Sequence, residues 1–194
     1  ATNDDSLAKK IRKLSLHGMS KDGWSRYSNK GSWAYDIELL GYKYNITDIA
    51  SKIGSIQLSQ VNTWHVKRKK IVQIYNDSFQ KIEGIKLPPK EHKNSIHAWH
   101  LYIIKIINNE WSIGRNELIV ELNNKGIGTS VHYIPIHMHS YYRNKYGYKP
   151  SDFINSEKLS ESVISLPLYP DLKEVEVSYI VNSIFELWDE YSKK

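Results

Sequence analysis

The sequence contains no cysteine, which excludes disulfides, a thiolate nucleophile and cysteine-ligated zinc in one step. No stretch stays apolar for long enough to make a membrane helix, and residues 1–20 have neither the apolar core nor the cleavage site of a secretory leader. Common catalytic signatures are missing too: there is no G-x-S-x-G elbow, no phosphate-binding P-loop, no H-E-x-x-H and no G-x-G-x-x-G behind a strand. Serine hydrolase, nucleoside triphosphatase and zinc protease chemistry therefore have no foothold. Internal repeats and low-complexity tracts are absent as well.

What is present is ordinary in bulk. Apolar residues make up 40% and charged residues 25% of 194, enough to bury a core in a folded protein, and the lack of cysteine and of an export signal is compatible with the expected cytoplasmic location. The net charge of +6 invites a nucleic-acid reading, but the lysines are interleaved with Asp and Glu. Only Lys67, Arg68, Lys69 and Lys70 form a run. It falls in a helical pattern, where a solvated face explains it without nucleic acid. Fourteen tyrosines and six tryptophans serve packing or stacking equally well.

The periodicity predicts alternating elements. Leu7, Ile11 and Leu14 share a helical face behind acidic residues, so Asp4 to Leu14 reads as a short helix ending before His17-Gly18. Met19 to Asp36 keeps no period and reads as an ordered loop. Thr47 suits an N-cap, and Ile49, Ile53, Ile56, Gln60 and Trp64 continue on one face to Ile71, Tyr75, Phe79 and Ile82, a long helix closed by Glu83-Gly84. His97 to Ile107 has strand composition, Arg115 to Lys125 reads as a helix stopped by Gly126, and Thr129 to Ile134 as a second strand. A helix over Ser156 to Val163, a strand over Ile164 to Leu166 and a helix from Glu174 to Tyr191 complete an α/β (α+β) pattern.

Two constellations carry chemistry. His97 and His100 flank Trp99, while His132, His137 and His139 gather near Tyr133, Pro135, Tyr141 and Tyr142. Carboxylates to complete a metal site are missing nearby. The imidazoles read either as polar tips of packed strand ends or, with the converging phenols, as the lining of a ligand pocket. The second is Gly41-Tyr42-Lys43-Tyr44-Asn45 ahead of Thr47 and Asp48, a glycine-started turn presenting a cation and an amide before a helix N-terminus. It reads as a capped turn or as an anion site.

Five segments in this order resemble the DegT/DnrJ/StrS family of pyridoxal-phosphate-dependent sugar-nucleotide aminotransferases. They are Thr2-Asn3-Asp4 with Leu7-Ala8 and Leu16-His17-Gly18; Gly41 to Asp48 with Gly54 and Gln57-Leu58; His97-Ala98-Trp99-His100-Leu101-Tyr102; Gly126-Ile127-Gly128-Thr129 with His132-Tyr133, Pro135 and His137; and Ser165-Leu166-Pro167-Leu168-Tyr169-Pro170. The GYKYN and HAWHLY wording is most similar to the branch that aminates 4-keto sugars on UDP, which includes the UDP-4-amino-4-deoxyarabinose aminotransferases.

The resemblance implies the C-terminal part of a fold-type-I transferase. Residues 1–45 would end the large cofactor-binding domain with its active-site loop, 46–84 would be a long interdomain helix, and 85–194 the small α/β domain. It implies transfer of an amino group, from an amino acid such as glutamate to a keto sugar nucleotide, with pyridoxal 5'-phosphate as carrier, in a homodimer with shared active sites. The Schiff-base lysine of the motif order falls upstream of residue 1. Lys9, Lys10 and Lys13 fit the polar face of the first helix instead, so the residues in hand include no catalytic lysine and no metal ligand set.

Lys43 and Asn45 stand where the family reaches across to the partner's cofactor phosphate, although the commoner pattern there is Asn and Arg. His132, Tyr133 and His137 match a run at the active-site mouth and are expected to recognise substrate. His17 and the Trp24-Ser25-Arg26 loop match a segment bordering the sugar nucleotide. Arg26 suits a diphosphate there, or a surface ion pair. The alternative function is a non-catalytic nucleotide-sugar-binding or regulatory module, which would need the Ile49 to Trp64 face covered within this chain.

Overall fold

Asp4 opens the first helix: its carboxylate accepts from the backbone N–H of Ser6 at 2.8 Å and of Leu7 at 3.0 Å, satisfying donors that have no partner inside the helix. A computed structural model of the chain describes residues 2–20 and 35–193. Helix α1 is Asp5–Ser15. Helix α2, Asp48–Phe79, follows, with the Thr47 hydroxyl accepting from Ala50 N–H at 3.3 Å. Then come β1 (Ile85–Lys86), β2 (Tyr102–Ile106) and α3 (Arg115–Asn124). A 3-10 turn at Ile136–Met138 leads into α4 (Ser140–Tyr146), and a second at Pro150–Phe153 into α5 (Ile154–Ser160). Strand β3 (Val163–Leu166) and α6 (Glu174–Tyr191) end the order.

The chain divides into two compact units, Ala1–Ser59 and Gln60–Lys194. In the second, the three strands form an antiparallel sheet in the order β1-β2-β3, with Ile85 opposite Ile106, Lys86 opposite Lys105 and Ile104 opposite Ile164. Side chains alternate across a strand. Tyr102, Ile104 and Ile106 of β2 are therefore buried, and Ile103 and Lys105 between them are only half-buried. The buried face meets Ile71, Val72, Tyr75 and Phe79 of α2, Leu118 and Leu122 of α3, and Val177, Ile180, Ile184 and Leu187 of α6 in one hydrophobic cluster. These positions recur every three or four residues, which is why the helices bury one stripe each.

Where the structure departs from the sequence reading, single residues explain it. The strand expected from His97 begins only at Tyr102, because Trp99 takes φ +46°, outside the extended region. The strand expected over Thr129 to Ile134 reduces to one residue: Ser130 exchanges backbone hydrogen bonds of 3.2 and 2.8 Å with Ser165. The long helix stops at Phe79, a turn earlier than Glu83-Gly84, as Gln80 to Ile82 tighten into a turn with Ile82 N–H on Phe79 O at 3.0 Å. Helix α3 does end at Gly126, at φ +74°. Ile127 N–H reaches Leu122 O at 2.9 Å and Gly126 N–H reaches Asn123 O at 2.8 Å, the paired closure that favours glycine.

Candidate functional site

In the first unit, the turn after α1 is clamped onto the segment before α2. His17 N–H donates to Tyr42 O at 2.8 Å, Tyr42 N–H to Leu14 O at 2.7 Å and Tyr44 N–H to Ser15 O at 2.8 Å. Two glycines permit the approach. A Cβ on Gly18, at φ +73°, would lie 1.8 Å from Leu39 O, and one on Gly41 would lie 2.2 Å from Gly18 N. No side chain fits either place. Lys13 pairs with Glu38 beside this junction.

The clamped segment presents its side chains in alternation. The rings of Tyr42 and Tyr44 stack with centroids 4.9 Å apart and planes within 3°, which sets Lys43 and Asn45 on the opposite side of the extended stretch. Both are exposed, and no ion pair holds Lys43 among the described residues. They precede the capped N-terminus of α2, whose free N–H groups favour anions. His17 is exposed at the same junction. Arg26, with Trp24 and Ser25, lies outside the described residues.

In the second unit, the solvent-side face of the sheet floors a groove of about 740 Å³. His132 and Tyr133 line it together with His97 and His100. His132 is held by Ser165, its Nδ1 lying 2.7 Å from the hydroxyl. His97 is held by Trp99, whose backbone N–H donates to His97 Nδ1 at 2.9 Å and whose ring stacks on the imidazole at 3.9 Å. Trp99 itself is buried, so the local departure from extended backbone anchors the imidazole beside the groove.

His137 does not join them. It is buried in the 3-10 turn, its ring 4.6 Å from that of Phe153, and its Nε2 has no hydrogen-bond partner among the described residues. His139, Tyr141 and Tyr142 are likewise not in the lining. Of that cluster, the structure therefore gathers His97, His100, His132, Tyr133 and Pro135 at the groove, and leaves His137, His139, Tyr141 and Tyr142 out of its lining. Sequence reasoning missed Lys86 and Lys105, which line the same groove. Among the described residues no three His, Asp or Glu side chains converge as a metal site would need.

A second hollow, of about 530 Å³, lies between the Gly126-Ile127-Gly128 turn and the start of α6. Its lining is mainly apolar, and Tyr179 closes one side by donating to Lys125 O at 2.8 Å.

The model of the DegT/DnrJ/EryC1/StrS aminotransferase family matches residues 1–185. Uncharacterized protein MJ1066 of Methanocaldococcus jannaschii is 44% identical over 189 residues, 97% of this chain and 49% of its own. Spore coat polysaccharide biosynthesis protein SpsC of Bacillus subtilis is 41% identical over 187 residues, 96% of this chain and 48% of its own. Spr1654 of Streptococcus pneumoniae, described as a candidate sugar aminotransferase and solved in its PMP form, superposes with a TM-score of 0.82 at 31% identity, over 97% of this chain and 46% of its own. The chain thus spans about half the length of the curated relatives it matches.

Proposed function

Because the chain belongs to the DegT/DnrJ/EryC1/StrS aminotransferase family, we propose that its protein transfers an amino group from an amino acid, glutamate by preference, to a 4-keto sugar nucleotide in cell-surface polysaccharide or amino-sugar biosynthesis. The family match running from α1 through the 41–45 turn and the 132–137 segment carries this reading. SpsC, named for spore coat polysaccharide biosynthesis, supports the polysaccharide context.

Pyridoxal phosphate is the carrier in this proposal. It asks a protein for an amine to anchor it, an acid for its ring nitrogen and donors for its phosphate. The residues in hand fit the third demand at Lys43, Asn45 and the N-terminus of α2. They do not fit the first two: the buried polar side chains among the described residues are His137, Ser162, Ser165 and Ser183, with no lysine or carboxylate. Because the family's motif order sets the anchoring lysine and ring acid ahead of residue 1, we assign both to residues outside these 194, and Lys43 and Asn45 to the phosphate held by a partner subunit of a cytoplasmic homodimer. When bound, the carrier holds the amino group between donor and acceptor. The chain's own part is to fix an anion and to orient a sugar nucleotide through His17, Arg26, His132 and Tyr133.

The exposed isoleucines of α2, Ile49, Ile53 and Ile56, favour this over a free-standing binding module, which would keep such a face covered. The test supplies pyridoxal phosphate, glutamate and a UDP-linked 4-keto sugar and measures 2-oxoglutarate released with amino sugar formed. Borohydride trapping and peptide mapping then locate the carrier. Equal yields of the two products and a label on a lysine outside residues 1–194 are expected. A label on Lys43, or no product, sinks the proposal.

A further inference from the structure

Lys86 of β1 stands directly opposite Lys105 of β2 in the antiparallel register. Like charges paired across strands oppose sheet formation, and neither lysine joins an ion pair among the described residues. Both side chains lie in the lining of the groove over the sheet.

The rest of that lining brings no charge of the opposite sign. His97, His100 and His132 are there, and no Asp or Glu is. Two imidazoles are fixed from behind, His97 by Trp99 and His132 by Ser165, so their positions are set before anything binds. Between the basic groups the walls are apolar, including Pro88, Leu101 and Leu159. A volume of about 740 Å³ suits a small organic molecule, since ligand pockets run from roughly 300 to 1,000 Å³.

We propose that this groove binds an organic phosphate ester, with Lys86 and Lys105 jointly taking the phosphate and the apolar wall taking the carbon skeleton. A lysine ammonium is a compact point charge with three donors, so two of them side by side match an anion with several oxygens and two charges. A carboxylate offers only one charge to the pair. The unpaired cross-strand lysines, unfavourable without a ligand, are the feature that the ligand turns to account. The proposal rests on the reading that His132 and Tyr133 recognise a ligand in this groove, and it names that ligand's chemistry and two residues that bind it. It does not depend on amine transfer.

The probe is phenyl phosphate, titrated into the protein by calorimetry at low ionic strength, with benzoate and inorganic phosphate alongside. Saturable binding of phenyl phosphate is expected, at least tenfold tighter than benzoate and tighter than inorganic phosphate. Lys86→Gln and Lys105→Gln should each weaken it about tenfold, in line with loss of one charge-assisted contact, while exposed Lys81→Gln leaves it unchanged. Thermal midpoints of the two lysine variants should hold or rise, because each relieves the like-charge pair, and this separates lost binding from lost folding. No saturable binding, equal affinity for benzoate, or undiminished binding in the lysine variants overturns the proposal. His132→Ala separates the two readings: weakened binding in it alone overturns the lysine assignment, and weakened binding in the lysine variants alone overturns the role of His132.

Discussion

The indole nitrogen of Trp111 donates to the backbone carbonyl of Gly84 at 2.8 Å. The glycine is needed for that contact: a Cβ there would lie 2.3 Å from Trp111 Nε1 and 2.2 Å from Trp188 Cζ3. The two indoles meet edge to face at 4.9 Å, and the turn joining α2 to β1 closes over them.

Gly84→Ala should therefore behave as an overpacked core substitution. A cost of about 1–3 kcal/mol is expected, plus the loss of a buried hydrogen bond if the indole moves away. Denaturant unfolding followed by tryptophan fluorescence reads both, since the emission of Trp111 and Trp188 reports on their burial. A variant as stable as the parent would show that the turn relaxes freely.

The same substitution has opposite signs at two other glycines. Gly41→Ala drives a methyl group against the backbone of Gly18 and should dislodge the segment carrying Lys43 and Asn45. Gly54→Ala meets nothing within 4 Å in the interior of α2 and should stabilise by about 0.5–1 kcal/mol through helix propensity. Thermal unfolding of the two variants against the parent measures the contrast.

Alkali should unfold the protein through two buried phenols. Burial, first of all, raises the pKa of Tyr75 and of Tyr102 above the ordinary tyrosine value, and each feels the charge of a neighbouring phenol, Tyr169 and Tyr75 respectively. Their hydroxyls donate to Pro167 O at 3.0 Å and Asn76 Oδ1 at 2.8 Å. Folding keeps them neutral, so their contribution is intact below the unfolded tyrosine pKa of about 10 and declines above it, by about 1.4 kcal/mol per pH unit for each phenol. Stability measured between pH 8 and 12 should fall in this way, and Tyr75→Phe or Tyr102→Phe should flatten the slope.

Self-association should run through the first half of α2. Ile49, Ile53 and Ile56 are 77%, 57% and 52% exposed on one helical face. A double substitution, Ile53→Glu with Ile56→Glu, should lower the mass seen in sedimentation without lowering the thermal midpoint. A large drop in the midpoint would mean that the face packs within the chain.

Helical period made α2, α3 and α6 legible, because burial on one stripe leaves its spacing in the sequence, and α1 was legible from its apolar spacing behind an acidic start although it buries no residue. The Thr129 to Ile134 run has strand composition, yet only Ser130 finds a partner in Ser165; composition reports a residue's fitness for a strand and not whether an edge is available to pair with. At the sites, the turn at 41–45 was readable from its glycine and the cap that follows. The Lys86–Lys105 pair was not, since it exists only once β1 and β2 choose a register. His137 shows the converse: proximity in sequence to His132 does not decide whether it lines the same groove, and its ring packs against Phe153 instead.

Helix α2 joins two regimes of local stability. Its early turns carry no buried residue, whereas Ile71, Val72, Tyr75 and Phe79 anchor its end in the core. Protection of its backbone amides against deuterium should accordingly climb along one unbroken hydrogen-bonded ladder, from fraying turns that open independently of the core to turns that exchange only when the whole sheet comes apart. Continuity of secondary structure here is not continuity of cooperativity, and whatever docks on the early turns would determine whether the helix melts in one step or two.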